Sequence, residues 1–147
     1  MKAIVVRSFG DTSVLQLEEK VCHKPKDREV LIKHSFMGIN FADISQRKGI
    51  SQGSGTQYET DLPYTPGNEA SGIVEKIGSN VKKFKVGDKV SSIPFYTTKY
   101  LVHGEIALTP ESYLPHCPKK LNFTESCSIW MQYLTAYYPF VEIAKIK

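Results

Sequence analysis

No apolar run in this sequence approaches the roughly 18 residues that a membrane span requires. The apolar stretch at the N-terminus, Ala3 to Val6, is too short for the core of a signal peptide. A cytoplasmic location with no membrane partner is therefore expected. Cysteine is scarce: Cys22, Cys117 and Cys127 are odd in number, widely spaced and in no C-x-x-C pair, which argues against a disulfide framework or a zinc ribbon and for free thiols. Arginine is scarce too, for although the formal net charge is +4, only Arg7, Arg28 and Arg47 occur and they are scattered. A nucleic-acid surface gathers arginines and aromatics along one face. The lysines instead cluster at Lys82-Lys83-Phe84-Lys85 and at Lys145-Ile146-Lys147, as solvated turn and tail residues do, so no nucleic-acid partner is expected.

A dinucleotide-binding turn is missing as well. Such a unit needs a buried strand, a glycine-rich turn and a helix whose N-terminus faces the pyrophosphate. The nearest candidate, Gly53-Ser54-Gly55, has Tyr58 where the third glycine belongs and polar residues before it, which reads as a flexible loop.

What the chain does have is enough apolar residue for one domain. At 147 residues with 41% hydrophobic and 23% charged content, a single compact unit is expected. Short β-type runs recur at Ala3 to Val6, Val14 to Leu17, Val30 to Met37, Ile73 to Ile77, Val90 to Ile93, Tyr100 to Val102 and Ile106 to Leu108, with turn residues such as Phe9-Gly10-Asp11 and Val86-Gly87-Asp88 between them. Many short strands without helical spacers predict a mainly β fold, an antiparallel barrel or sandwich.

Two helices interrupt this pattern. The first is expected from about Asn40 to Lys48, with Asn40 as its cap, Asp43 in the first turn, Arg47 and Lys48 in the last, and Gly49 as its stop. Asp43 and Arg47 lie four apart and are placed to pair with each other. The second begins near Asn122 in a capping box with Glu125. Cys127, Trp130, Met131, Leu134, Tyr137, Tyr138 and Val141 then form one apolar stripe at helical spacing, and Pro139 is expected to kink or end the helix.

Three blocks carry the chemistry: Gly38-Ile39-Asn40-Phe41-Ala42-Asp43, then Gly67-Asn68-Glu69-Ala70-Ser71-Gly72, then Gly78 through Gly87-Asp88-Lys89-Val90. Each sets polar groups beside glycines and apolar strand residues, as a site mounted on a β framework does. With the opening Met1-Lys2-Ala3-Ile4 and the late Leu134-Thr135-Ala136-Tyr137, these blocks fall in an order and spacing that resembles the zinc-free quinone oxidoreductases, relatives of ζ-crystallin in the medium-chain dehydrogenase/reductase superfamily. The resemblance covers nearly the whole chain but only the first half of such an enzyme.

The resemblance implies a GroES-like, partly open β-barrel over residues 1–123, and a connecting helix over 124–147 leading to a Rossmann domain outside this chain. It implies an oxidoreductase passing hydride from NADPH, held mainly by that further domain, to a small electron-poor acceptor, in a parent that is a homo-oligomer. Asn40 is expected beside the nicotinamide ribose and the substrate, and Thr135 is expected to face the nicotinamide amide. A plain helix cap and a threonine bonded to its own backbone are the alternatives for these two. Asp43 and Arg47 are candidates for a supporting role around the cleft, and Glu69 for a carboxyl behind the site, needing a partner if buried. Zinc-dependent relatives grip their metal at the positions occupied here by Asn40, Asn68 and Met131; neutral amides and a thioether are poor zinc ligands, so no zinc is expected. Without a Lewis acid, hydride delivery to a quinone or an α,β-unsaturated carbonyl is better suited to the site than oxidation of an alcohol. Where many relatives have cleft tyrosines this chain has Ser45 and Ser51, with Tyr58 and Tyr64 as candidate substitutes. An enoyl-thioester reductase and a non-enzymatic binding module are the competing readings.

Overall fold

Register, more than any single element, decides where the functional blocks land. The structure is a computed structural model that describes residues 1–50, 61–94, 100 and 102–146; Ser51, Gly53-Ser54-Gly55 and Tyr58 lie outside the described residues. In chain order the strands are β1 (Lys2–Val6), β2 (Leu15–Glu19), β3 (Glu29–Gly38), β4 (Glu69–Ile77), β5 (Lys89–Ser91) and β6 (Ile106–Pro110), and the helices are α1 (Phe41–Arg47), α2 (Phe123–Ser126) and α3 (Trp130–Tyr137). Strands β1 and β2 pair in a two-stranded sheet, and a four-stranded antiparallel sheet runs in the order β5-β4-β3-β6. The fold is mainly β and GroES-like, and its two sheets stay open instead of closing into one barrel.

Strand β3 is long because its first half is apolar and buried: Val30, Leu31 and Ile32 are each 3% exposed or less. With Val74, Val81, Phe84, Val90 and Leu114, Val30 and Ile32 form the main core cluster. Each such side chain contributes about 1.5–3 kcal/mol when fully buried. A smaller core joins Val6 and Tyr64, with Val14 against them. The small sheet is tied to the rest by bridges between Ala3 and Gly104 and between Val6 and Tyr64.

The pairing of β3 with β4 runs from Val30 opposite Ile77 to Gly38 opposite Glu69, with register shifts at Leu31/Ile32 and His34/Phe36. Such irregularities bend a strand and re-aim the residues beyond the bend. Because Gly38 faces Glu69, the Asn40 block and the Asn68-Glu69 block leave the sheet at the same end. Strand β4 starts earlier than Ile73, where the sequence pattern would begin it. Its first residues, Glu69 to Gly72, are small or polar but buried, since α2 packs over them and the Ser71 hydroxyl donates to the Phe123 carbonyl at 2.6 Å.

Two expectations need correction. The strand expected at Tyr100–Val102 is not found among the described residues, Leu101 lying outside them. There the chain pairs with a loop instead: Val102 N–H donates to Gly67 O at 3.1 Å and His103 N–H to Pro66 O at 2.8 Å, and Pro66 has no N–H with which to extend a ladder. The helix expected to run unbroken from near Asn122 is interrupted at 127–129, between α2 and α3, and the α-helical course of α3 then ends at Tyr137, just ahead of Pro139 as expected. Asn122 and Glu125 form the expected capping box on α2, yet Ser128 turns its hydroxyl back onto the carbonyls of Thr124 and Glu125, at 3.3 and 3.1 Å. Past Pro139 the helical course continues as a wider turn, Tyr138–Ile143, in which Ala144 N–H reaches Pro139 O at 2.9 Å. The proline, which has no N–H to donate, stands where the α-helical pattern gives way to that wider turn.

The apolar stripe divides accordingly. Cys127 is buried, Trp130 and Met131 are half-buried, and Leu134, Tyr137, Tyr138 and Val141 are exposed. Trp130 is anchored through its ring N–H, which donates to the Ser91 hydroxyl at 2.8 Å.

Candidate functional site

Glu69 is wholly buried at 0% exposure, and both of its carboxyl oxygens accept hydrogen bonds. Oε2 accepts from Asn40 Nδ2 at 3.0 Å, and Oε1 accepts from the backbone N–H of Met131. That N–H is one of the donors left unpaired in the first turn of α3. Ile129, at the N-cap position, has no polar side chain to offer it, so β4 supplies the cap from across the domain, with an acidic group where the helix dipole favours one. The need for a partner that burial of Glu69 would create is thus met twice.

Because a carboxylate only accepts, Glu69 fixes the Asn40 amide with Nδ2 toward itself and Oδ1 outward. Gln132 Nε2 then reaches that Oδ1 at 3.3 Å. The Asn40 backbone N–H donates to Asp43 Oδ2 at 2.7 Å, one half of the capping box at the start of α1. The other Asp43 oxygen, Oδ1, accepts from Asn68 Nδ2 at 2.8 Å. Asn40, Asp43, Asn68, Glu69 and the first turn of α3 therefore form one hydrogen-bonded group drawn from three parts of the chain.

Close packing holds these parts together. A Cβ on Gly38 would stand 2.8 Å from the Cys127 carbonyl and 3.3 Å from Glu69 Cβ, and one on Gly67 would stand 2.6 Å from the His103 ring carbon Cγ. Gly67 also has φ +105, a conformation that side chains with a Cβ rarely adopt. Burial, followed by the nearby Glu69, pushes the Cys127 thiol up from its ordinary pKa, which leaves it an inert packing group.

Arg47 is buried, but among the described residues no ion pair joins it to Asp43. Its guanidinium donates to the Gly10 carbonyl at 2.6 Å, while Asp43 is taken up by Asn40 and Asn68. Tyr64 sits in the small core with Val6, and its hydroxyl is buried without a partner among the described residues. Burial, then the charge of Asp43, raises its pKa to about 12, with Arg47 opposing. Thr135 lies on α3 one turn beyond Met131, exposed to solvent. Ile39 and Phe41, the sequence neighbours of Asn40, are 79% and 77% exposed.

Two participants were not picked out in the sequence. Gln132 has no motif of its own; only its place next to Met131 in the stripe pointed toward the site. His103 lies just past the run Tyr100 to Val102 expected as a strand, and its ring Nε2 is 3.0 Å from Gly38 O. No group of three or more His, Cys, Asp or Glu side chains that could hold a metal occurs among the described residues.

Residues 26–134 match the family model described as the alcohol dehydrogenase GroES-like domain. The chain belongs to that family. It is 32% identical over 147 residues to the mouse synaptic vesicle membrane protein VAT-1 homolog-like, all of this chain aligning with 33% of that protein. It is 33% identical over 148 residues to human quinone oxidoreductase, all of this chain aligning with 43% of it. Among solved structures, Escherichia coli quinone oxidoreductase complexed with NADPH superposes with a TM-score of 0.81 at 27% identity, over 98% of this chain and 41% of that one. The GroES-like chain thus spans well under half the length of the relatives it matches.

Proposed function

We propose that this chain is the substrate-side domain of a zinc-independent oxidoreductase that passes hydride from NADPH to quinones or α,β-unsaturated carbonyls, the nucleotide being held mainly by a further domain of the parent chain. In this reading residues 1–123 form the substrate side and 124–147 the connection. The observation that carries it is the Asn40 amide, buried at 8% exposure and locked by Glu69 with its Oδ1 turned toward Gln132 of α3. An oriented acceptor beside exposed apolar side chains suits the positioning of a planar, electron-poor reactant, a task that needs placement and modest polar help.

The donor chemistry speaks against zinc at the place where zinc-dependent relatives bind it. Asn40 and Asn68 are neutral amides whose Nδ2 groups are already spent on Glu69 and Asp43, and Met131 contributes a backbone N–H. For a nicotinamide cofactor the fit is better: Asn40 Oδ1 is an acceptor whose 3.3 Å bond from the exposed Gln132 side chain can be exchanged for one from a hydroxyl or amide, and the exposed Thr135 lies on the α3 segment that Glu69 docks. NADPH, when bound, supplies the hydride. Asn40 and Thr135 orient the reactants, Glu69 and Gln132 hold Asn40, Asp43 ties Asn68 to the start of α1, and Arg47 braces α1 on Gly10.

The test is NADPH oxidation by the full gene product with 1,4-benzoquinone and a crotonyl thioester in parallel. Quinone turnover that falls about 10- to 100-fold in Asn40→Ala supports the reading. Faster turnover of the thioester would move the enzyme to the enoyl reductases. No turnover with either acceptor would favour a binding module, for which the exposed Tyr133, Tyr137 and Tyr138 would be the contact face.

A further inference from the structure

His103 touches both of the segments carrying the functional amides. Its ring Nε2 lies 3.0 Å from the carbonyl of Gly38, two residues before Asn40. Its ring also packs on Gly67, next to Asn68, so closely that no Cβ would fit there. Its backbone N–H donates to Pro66 O at 2.8 Å and its carbonyl accepts from Ile4 N–H at 2.9 Å, which ties both segments to β1. The adjoining Gly104 is fixed in turn, its carbonyl 2.8 Å from His34 Nδ1. The ladder that pairs Gly38 with Glu69 ends at this point, so beyond it the path of the chain into Asn40 depends on side-chain contacts.

We propose that His103 is a positioning residue for the Asn40–Asn68 site, clamping the Gly38 carbonyl and the Gly67 turn so that the two amides keep their relative placement. This rests on the reading of Asn40 as a functional amide. A carbonyl has no proton to give, so the ring is the donor and carries its hydrogen on Nε2. Loss of that donor orphans the Gly38 carbonyl and frees the chain ahead of Asn40, and a displacement on the order of 1 Å at a reacting site costs up to about 100-fold in rate. The clamp needs both bulk over Gly67 and a donor toward Gly38, a combination that glutamine reproduces and phenylalanine does not.

The test has an arm independent of activity. In the 147-residue chain, long-range ¹H–¹⁵N NMR is expected to find His103 protonated on Nε2, and the side-chain amide signals of Asn40 and Asn68 to move in His103→Phe and to stay in place in His103→Gln. A neutral ring protonated on Nδ1, or Asn40 and Asn68 signals unmoved in a folded His103→Phe, overturns the proposal. The wild-type ring state and the glutamine variant decide the matter if the phenylalanine variant does not fold. In the full gene product, His103→Phe is expected to lower kcat about 10- to 100-fold with KM for NADPH changed less than about threefold, and His103→Gln to recover most of it. A wild type inactive on both acceptors would sink the functional reading alone, the NMR arm still deciding His103.

Discussion

Replacing Glu69 tests the centre of the site most directly. In Glu69→Ala two donors, Asn40 Nδ2 and Met131 N–H, lose the acceptor they have among the described residues in a region with no solvent at the carboxyl position. Each orphaned donor costs about 1–3 kcal/mol, and the space left behind adds to this, so a loss of about 3–5 kcal/mol is expected. For a domain of this size that corresponds to a fall of about 6 to 20 °C in Tm, at 2–4 °C per kcal/mol. Glu69→Gln is the more discriminating change, because shape is kept and only acceptor number falls. Its amide NH2 must face either Met131 N–H or Asn40 Nδ2; if Asn40 flips to receive it, the Gln132 amide must flip as well to offer its oxygen to Asn40 Nδ2. A loss of about 1–3 kcal/mol is expected, of which Gln132→Glu in the same background returns a part by giving the flipped Asn40 an acceptor without that second flip. Urea unfolding followed by far-UV circular dichroism measures both, with Trp130 emission reporting on the docking of α3. A Glu69→Ala loss under about 0.5 kcal/mol, the ordinary range for a surface change, or no coupling between positions 69 and 132, would refute the network.

Three further outcomes are expected from the same geometry. Gly67→Ala places a Cβ against the His103 ring at φ +105 and is expected to cost about 1–3 kcal/mol in thermal denaturation; a neutral result would mean that the loop relaxes freely. Trp130→Phe removes the donor to Ser91 and is expected to cost about 0.5–1.5 kcal/mol and to speed hydrogen exchange in α3 ahead of the sheet, which uniform exchange would contradict. Burial first, then repulsion from His103, holds the His34 imidazole below its usual pKa against the opposing Gly104 and Val102 carbonyls. The unfolded chain therefore takes up a proton near pH 6.5 that the folded chain resists, so stability is full above that pH and falls below it, by at most about 1.4 kcal/mol per pH unit. His34→Asn, which keeps a donor toward Gly104, is expected to flatten the fall between pH 6.5 and 5 in urea midpoints, and equal slopes in both proteins would exclude the assignment.

The parts of the fold legible in the sequence were those governed by local rules. Short β-type runs located β1, β3 and β6, and the Asn122-to-Glu125 spacing placed the start of α2. The features that escaped depended on contacts between distant segments. The buried opening of β4 reads as a polar, glycine-bearing block because α2, not its own residues, makes it a core strand. The break before α3 has no signal in 127–129 strong enough to stop a helix; it arises from Glu69, some 60 residues earlier, capturing the Met131 N–H. Asp43 and Arg47 have the spacing of a surface ion pair, yet both are buried, and there backbone and amide partners satisfy them at lower desolvation cost than a bare pair would incur.

A site built on amides demands more of its scaffold than one built on a metal. An ion pulls its ligands into geometry by charge, and moderate misplacement of a ligand is corrected as it binds. A neutral amide has only the orientation its neighbours impose. Here that orientation is imposed by a carboxyl with no exposure, by a strand register that ends on Gly38 opposite Glu69, and by two glycine positions packed too closely for any Cβ. Rigid placement of Asn40 is therefore the property on which the proposed chemistry depends, and substitutions that loosen Glu69 should reduce the rate through orientation even where the Asn40 side chain itself is untouched.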